Sequence, residues 1–414
     1  MNENYQAMSY RAIFIMPISS GKMHLLPSLT FLAFTLVGFQ LFSSPVLAVN
    51  VTKIDDCPAL SPRTGVPKDA TDVRADDIKV IAAMGDSIMA GFGMMGSSSI
   101  IDTSSFREYR GQSYGIGGDS DAQTMATFTR HFSPDLVGPS LGERSVSLCL
   151  TIMFKKVGIF QFGTNTNICF LYTPAKLDGA LQHLHLNGAV SGATASSLSN
   201  QLDYLIPKMK SLSNDFENDW KLVNIQIGSN DQCASCGLNA LDVTAARYGS
   251  YVSAAVKRIV ENVPNVIVNL IGVFHVSPVY NLTAGQSYCN TIAGQPLNRN
   301  LCGCFQGTSS SRRAMDALAD SYNDKLIEIY QSYQGKNNTG FGVTYQPNNI
   351  NIAGFPLEAM SNADCFHPSL ISHQWISKIA WNNLFTPRPY KPSVHNFNKN
   401  QEILCPGEND RIII

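Results

Sequence analysis

Five short runs rich in valine and isoleucine recur along the chain, separated by longer segments of mixed polarity, and this alternation constrains the fold more than any other feature. The runs fall at Ile78 to Met84, Asn187 to Ser191, Leu222 to Ile227, Val266 to Val273 and Phe341 to Tyr345, and most stop at Gly or Asn. Helix-like stretches lie near 196–212, 240–262, 309–333 and 369–384. Strands alternating with helices in this order predict an α/β fold, with a largely parallel sheet covered by helices on both faces. Sites in such sheets gather at the carboxyl ends of the strands. With 414 residues, 44% hydrophobic and 15% charged, the chain can bury the core of one large domain, or two at most. Its 30 basic and 31 acidic side chains give a formal charge of −1 with no basic run, so nothing points to nucleic acid as a partner.

The first run leads into IAAMGDSIMAGFGMMG, residues 81–96. Gly91, Gly93 and Gly96 spell G-x-G-x-x-G, but a dinucleotide loop needs its first glycine directly after the strand, with an acidic ribose ligand roughly 20 residues on. Gly91 comes about seven residues late, inside what the spacing predicts to be helix, and no such acid is evident. Gly85-Asp86-Ser87 stands where the strand ends, and a glycine there lets the chain turn and lift a serine hydroxyl into a cleft.

A serine nucleophile needs a base, a carboxylate to orient that base, and donors for the developing oxyanion. In Asp364-Cys365-Phe366-His367-Pro368 an acid and an imidazole three residues apart can share one loop. Gly192, in AVSGAT after the second run, can offer a backbone N–H; Asn230, in IQIGSND after the third, can offer a side-chain amide. Asp86, beside the serine, is an alternative triad acid, and His373, in a helix-like run, reads as structural. His183 and His185 have H-x-H spacing but no third ligand, and read as surface histidines. Gly138-Pro139-Ser140-Leu141-Gly142 matches G-x-S-x-G, yet without a strand before it or a helix after it reads as a loop.

In order along the chain, Gly85-Asp86-Ser87, Gly192, Gly228-Ser229-Asn230-Asp231 and Asp364-x-x-His367 resemble the four blocks of the SGNH/GDSL hydrolase family. Cys57-Pro58 with Leu60-Ser61-Pro62, Tyr109-Arg110-Gly111-Gln112-Ser113 before Ile116-Gly117-Gly118-Asp119, DWKLVNIQIGSNDQCASC and DCFHPSLISHQWIS are similar to its phospholipase B1-like branch. The resemblance implies a three-layer α/β/α flavodoxin-like hydrolase with a mainly parallel central sheet. It implies cleavage of phospholipid and lysophospholipid acyl esters at membrane or micelle surfaces, with no metal, cofactor or obligate protein partner. Carried over, Ser87 is the nucleophile, His367 the general base and acid, and Asp364 the orienting carboxylate, while Asp86 holds the loop by hydrogen bonds. The Ser87 and Gly192 N–H groups and the Asn230 amide form the oxyanion hole. Members of the branch can carry tandem repeats and a membrane anchor; this chain has one unit with no anchor after it. A carboxylesterase for other esters and a silent lipid-binding protein are the alternatives.

The apolar stretch from Leu25 to Phe42, preceded by Arg11 and Lys22 and followed by Val46 and Ala48, reads as a signal peptide cut after Ala48, giving a secreted protein; an uncleaved anchor is the competing reading. Residues 49–76 then form an N-terminal extension, 77–390 the hydrolase domain and 391–414 a C-terminal tail. The ten cysteines read as disulfides for a secreted chain, although Cys233-x-x-Cys236 with Cys302-x-Cys304 could also hold zinc. Sequons at Asn50, Asn281 and Asn337 agree with secretion. Residues 146–176, apolar without a clean period and carrying Cys149 and Cys169, read either as an insertion or as a retained intron, since Val146-Ser147 can be encoded by a splice-donor-like sequence.

Overall fold

The computed structural model describes residues 49–97, 107–145, 149–151, 167–169, 185–292, 295–336 and 339–414. The expected signal peptide, His183, the Asn337 sequon and most of 146–176 lie outside the described residues. Within that last segment, Cys149–Thr151 and Asn167–Cys169 form a short antiparallel ladder that sets Cys149 opposite Cys169.

In chain order the strands used below are β1 (Val49–Val51), β2 (Ile78–Gly85), β3 (Trp220–Gln226), β4 (Val266–Ile271), β5 (Phe341–Gln346) and β6 (Ile403–Cys405). The helices are α1 (Ser87–Ala90), α2 (Met125–Phe132), α3 (Leu198–Leu212), α4 (Ser229–Ala234), α5 (Ala245–Asn262), α6 (Pro278–Leu282), α7 (Ser309–Tyr333) and α8 (Leu370–Phe385). The central sheet has the order β5-β4-β3-β2, and every pairing is parallel. Side chains of β2 alternate between two cores. Ile81 and Ala83 join Phe128 and Trp381 on the α2–α8 side, while Val80, Ala82 and Met84 join Leu205, Tyr248 and Tyr322 on the α3–α5–α7 side. That period-2 split of one buried strand makes a three-layer α/β/α sandwich.

The second predicted strand is the exception. Only Asn187 of the Asn187–Ser191 run bridges β2, opposite Ala83, and Val137 fills the place opposite Val80. Val137 donates to Lys79 O at 3.0 Å and Gly188 to Ala83 O at 2.9 Å, so two separate segments share the edge and neither extends into a strand. The spatial order, with this edge counted as second, is 2-1-3-4-5, the flavodoxin-like arrangement. Leu186 N donates to Gly138 O at 2.9 Å, which joins the two segments at this edge.

The helices begin where their caps dictate. Thr244 accepts from Arg247 N and starts α5 five residues later than the expected 240; the residues before it, Ala240–Asp242, form a 3-10 turn. Thr308 accepts from Ser311 N and starts α7 at 309, as expected. Among the described residues no helix is long and apolar enough to cross a membrane.

Both flanking segments pack on this unit. β1 pairs antiparallel with β6, Cys57 is disulfide-bonded to Cys405 across 348 residues, and Ile412 and Ile413 donate to Val73 O and Leu384 O. Three further disulfides join Cys233 to Cys302, Cys236 to Cys304 and Cys289 to Cys365. The four thiols that could have held zinc are thus bonded to one another. Replacing Cys57 and Cys405 by Ala should lower the unfolding free energy by about 2–5 kcal/mol, because the released chain gains loop entropy; denaturant unfolding checks this.

Candidate active site

At the end of β2 the backbone runs so close to β3 that a Cβ on Gly85 would lie 2.3 Å from Gln226 O. Only glycine fits, and the buried amide of Gln201 pairs with its peptide groups, accepting from Gly85 N at 2.9 Å and donating to Gly85 O at 2.8 Å. Asp86 then caps α1, its Oδ1 accepting from Ile88 N at 2.9 Å. Ser87 is the first residue of that helix, so its N–H has no carbonyl one turn back to bond. Gly91, at φ 74°, ends the helix rather than lying inside it as the spacing predicted.

Ser87 Oγ donates to His367 Nε2 at 2.7 Å, and His367 Nδ1 donates to Asp364 Oδ2 at 2.6 Å. The other oxygen, Oδ1, accepts from Phe366 N at 2.9 Å and His367 N at 3.0 Å. All three residues are buried. Burial alone would raise the Asp364 carboxyl, but the charge of the neighbouring imidazole and these hydrogen bonds outweigh it and hold the group below its ordinary range. The rings of Phe92 and Phe366, with centroids 4.8 and 5.2 Å from that of His367, restrict how the imidazole can turn.

The acid–base loop is gripped from two sides. Asn298 donates from its backbone to Asp364 O and from its side chain to Cys365 O, beside the Cys289–Cys365 disulfide. On the other side Ser361 Oγ donates to Gly93 O, and Asn362 exchanges two hydrogen bonds with the Ser97 backbone at 2.8 and 2.9 Å. The G-x-G-x-x-G run is therefore a docking surface for the acid–base loop. Gly93 and Gly96 lie at φ 66° and 72°, and a Cβ on Gly96 would sit 2.3 Å from Asn362 Oδ1. Sequence reasoning missed Asn298, Ser361 and Asn362; only the glycine spacing marks the segment on which Ser361 and Asn362 dock.

The segment from Val190 to Ala195 is hydrogen-bonded to Asn230 and Asp231. Ala193 N donates to Val190 O at 3.0 Å across Gly192, whose φ of 82° suits the third position of a type II turn. Asn230 Nδ2 donates to Ala193 O at 3.0 Å, and the Asp231 carboxylate accepts from Ala195 N at 3.1 and 3.2 Å. Burial raises Asp231 to about 7. Arg110, paired with Glu108 at 2.7 Å, donates to Asn187 O and Ala189 O and holds the approach to the turn. Ser87, Asn230 and His367 line one pocket whose other walls are mostly apolar, including Phe274, Val279, Ile352, Phe355, Met360 and Phe366. Gly192 is not among the lining residues and is linked to it through Asn230.

The remaining candidates lie elsewhere. His373 is fully buried, accepts from Tyr114 N at 3.3 Å and is pushed down to about 3 by burial. Ser140 is buried in a loop and donates its hydroxyl to Arg110 O. His185 sits in a left-handed backbone conformation where the chain returns to the sheet edge.

Residues 81–379 match the GDSL-like Lipase/Acylhydrolase family, and the chain belongs to it. It is 27% identical over 368 residues to the membrane-associated phospholipase B1 of Homo sapiens and 28% identical over 368 residues to that of Rattus norvegicus, the match covering 85% of this chain in both cases. The chain spans 22% of the length of those relatives. An extracellular lipase from Streptomyces rimosus is 16% identical, with 71% of this chain and 94% of that chain covered and a TM-score of 0.30.

Burial raises Asp86 to about 6 from an ordinary value near 4. The folded chain therefore binds this proton more tightly than the unfolded chain, so the stabilisation is full below about pH 4 and is lost as pH rises through about 6. Asp86→Asn keeps the capping oxygen and removes the charge. Its unfolding free energy should match the wild type near pH 4 and exceed it by as much as about 3 kcal/mol at pH 8, as denaturant titrations at the two pH values will read.

Proposed function

We propose that this chain is a secreted serine esterase that hydrolyses acyl esters of phospholipids and lysophospholipids. One observation carries the reading: the hydrogen-bonded series Ser87–His367–Asp364 opens on a pocket with mostly apolar walls. Likeness to phospholipase B1 over most of this chain supports the substrate class. Four disulfides among the described residues support an oxidising, extracellular setting.

In this mechanism Ser87 Oγ attacks the ester carbonyl while its proton passes to His367 Nε2. Asp364 keeps the proton on Nδ1, so that Nε2 is free to accept, and stabilises the imidazolium that forms. The carbonyl oxygen becomes an oxyanion, met by the N–H groups of Ser87 and Gly192 and by the Asn230 amide. Collapse of the tetrahedral intermediate breaks the bond to the alcohol, which leaves with the proton from His367. Water, deprotonated by His367, then attacks the acyl-serine and releases the fatty acid. No step requires a metal or cofactor.

Fatty-acid release from phosphatidylcholine and lysophosphatidylcholine tests this, with a short-chain ester as control. Ser87→Ala should lose roughly 10⁴–10⁶ in kcat on every ester. Asn230→Ala should lose roughly 10²–10³ in kcat with little change in KM, because its amide meets charge that exists only in the transition state. Hydrolysis of the short ester alone would overturn the lipid reading, and undiminished Ser87→Ala activity would overturn the nucleophile.

A further inference from the structure

Two guanidinium groups share one tyrosine ring beside the pocket. Cζ of Arg299 lies 3.4 Å and Cζ of Arg312 3.7 Å from the ring centroid of Tyr280. Each donates to one backbone carbonyl, Arg299 to Tyr280 O and Arg312 to Gly307 O. Among the described residues neither forms an ion pair. Asp316, one helical turn after Arg312, accepts instead from Ser277 Oγ. Arg299 Nη1 is buried and has no hydrogen-bond partner.

Two cations gathered on one ring repel each other, and burial together with the charge of Arg312 lowers the pKa of Arg299. A guanidinium can only donate, and a buried donor left unpaired is costly. An anion with several acceptor oxygens would complement both cations, and the planar fork of arginine suits phosphate in particular. The location ties that anion to the pocket. Tyr280 and Val279 are neighbours on α6, and Val279 lines the pocket. The Tyr280 ring packs on Phe305 at 5.5 Å, and Phe305 packs at 6.0 Å on Phe366, another pocket residue.

We propose that Arg299 and Arg312 form a phosphate-binding subsite beside the acyl pocket. Its ligand is the phosphate of a lipid head group or free inorganic phosphate; the first source rests on the esterase reading above, the second does not. Neither arginine touches the reacting ester in this account.

The test uses the full secreted protein and the variants Arg312→Gln, Arg299→Gln and Arg312→Lys, the last retaining the charge should the glutamine variants fold poorly. Inorganic phosphate should raise the thermal midpoint of the wild type, should leave Arg312→Gln and Arg299→Gln unmoved, and should have a partial effect on Arg312→Lys. The ratio of kcat/KM for lysophosphatidylcholine to that for a monoacylglycerol of equal chain length should fall about tenfold in the glutamine variants if the ligand is the head group. Phosphate-dependent stabilisation with an unchanged ratio assigns the subsite to free phosphate. Absence of both effects overturns the proposal. A wild type that cleaves no phospholipid would sink the esterase reading, while the phosphate titration would still report on the subsite.

Discussion

The buried carboxylate of Asp364 sets the terms for everything around it. A carboxylate removed from water is expensive unless its oxygens are met by donors, and three converge on it: His367 Nδ1, His367 N and Phe366 N. To bring both backbone N–H groups back onto one oxygen the chain must fold tightly, and Cys365 takes a left-handed conformation at φ 51° to do so. That conformation is unfavourable for a side-chain-bearing residue, so neighbouring structure has to impose it. The disulfide to Cys289 and the two hydrogen bonds from Asn298 bind the loop at this point.

The hydrogen bond to Ser87 then spans 280 residues of sequence, and its geometry depends on how closely backbones can approach. Glycines supply that closeness at two levels. Gly85 lets the end of β2 lie against Gln226, which fixes the origin of the serine helix. Gly93 and Gly96 shape the following loop so that Ser361 and Asn362 can bond to its backbone. The turn bearing Gly192 is held differently, by the buried Arg110–Glu108 pair on one flank and by Asn230 and Asp231 on the other. Three loops from distant parts of the chain are thus referred to the carboxyl ends of β2 and β3, the sheet edge where ligands gather in this class of fold.

Much of this was legible in the sequence because burial on both faces of a parallel sheet leaves continuous apolar runs, and four of the five expected strands form within two residues of their predicted ends. The serine, acid and base could be named because each chemical role admits few residue types. What failed did so for physical reasons. The Asn187 run reads as a strand, but Val137 shares its edge, and this tertiary competition leaves no local trace. G-x-G-x-x-G spacing is common to phosphate loops and to any loop that must accept another backbone, so the sequence could reject the first use without revealing the second. The contacts of Asn298 and Asn362 join segments far apart in the chain, and no periodicity reports such a pairing.

The account stands on Ser87 being a nucleophile activated through His367 and approached from an apolar pocket. Mass spectrometry of the folded protein after reaction with a long-chain alkyl fluorophosphonate tests this directly. One adduct per chain, on the peptide containing Ser87 and absent from His367→Ala, is the expected result. An adduct on another serine, or none in folded protein, would contradict the account.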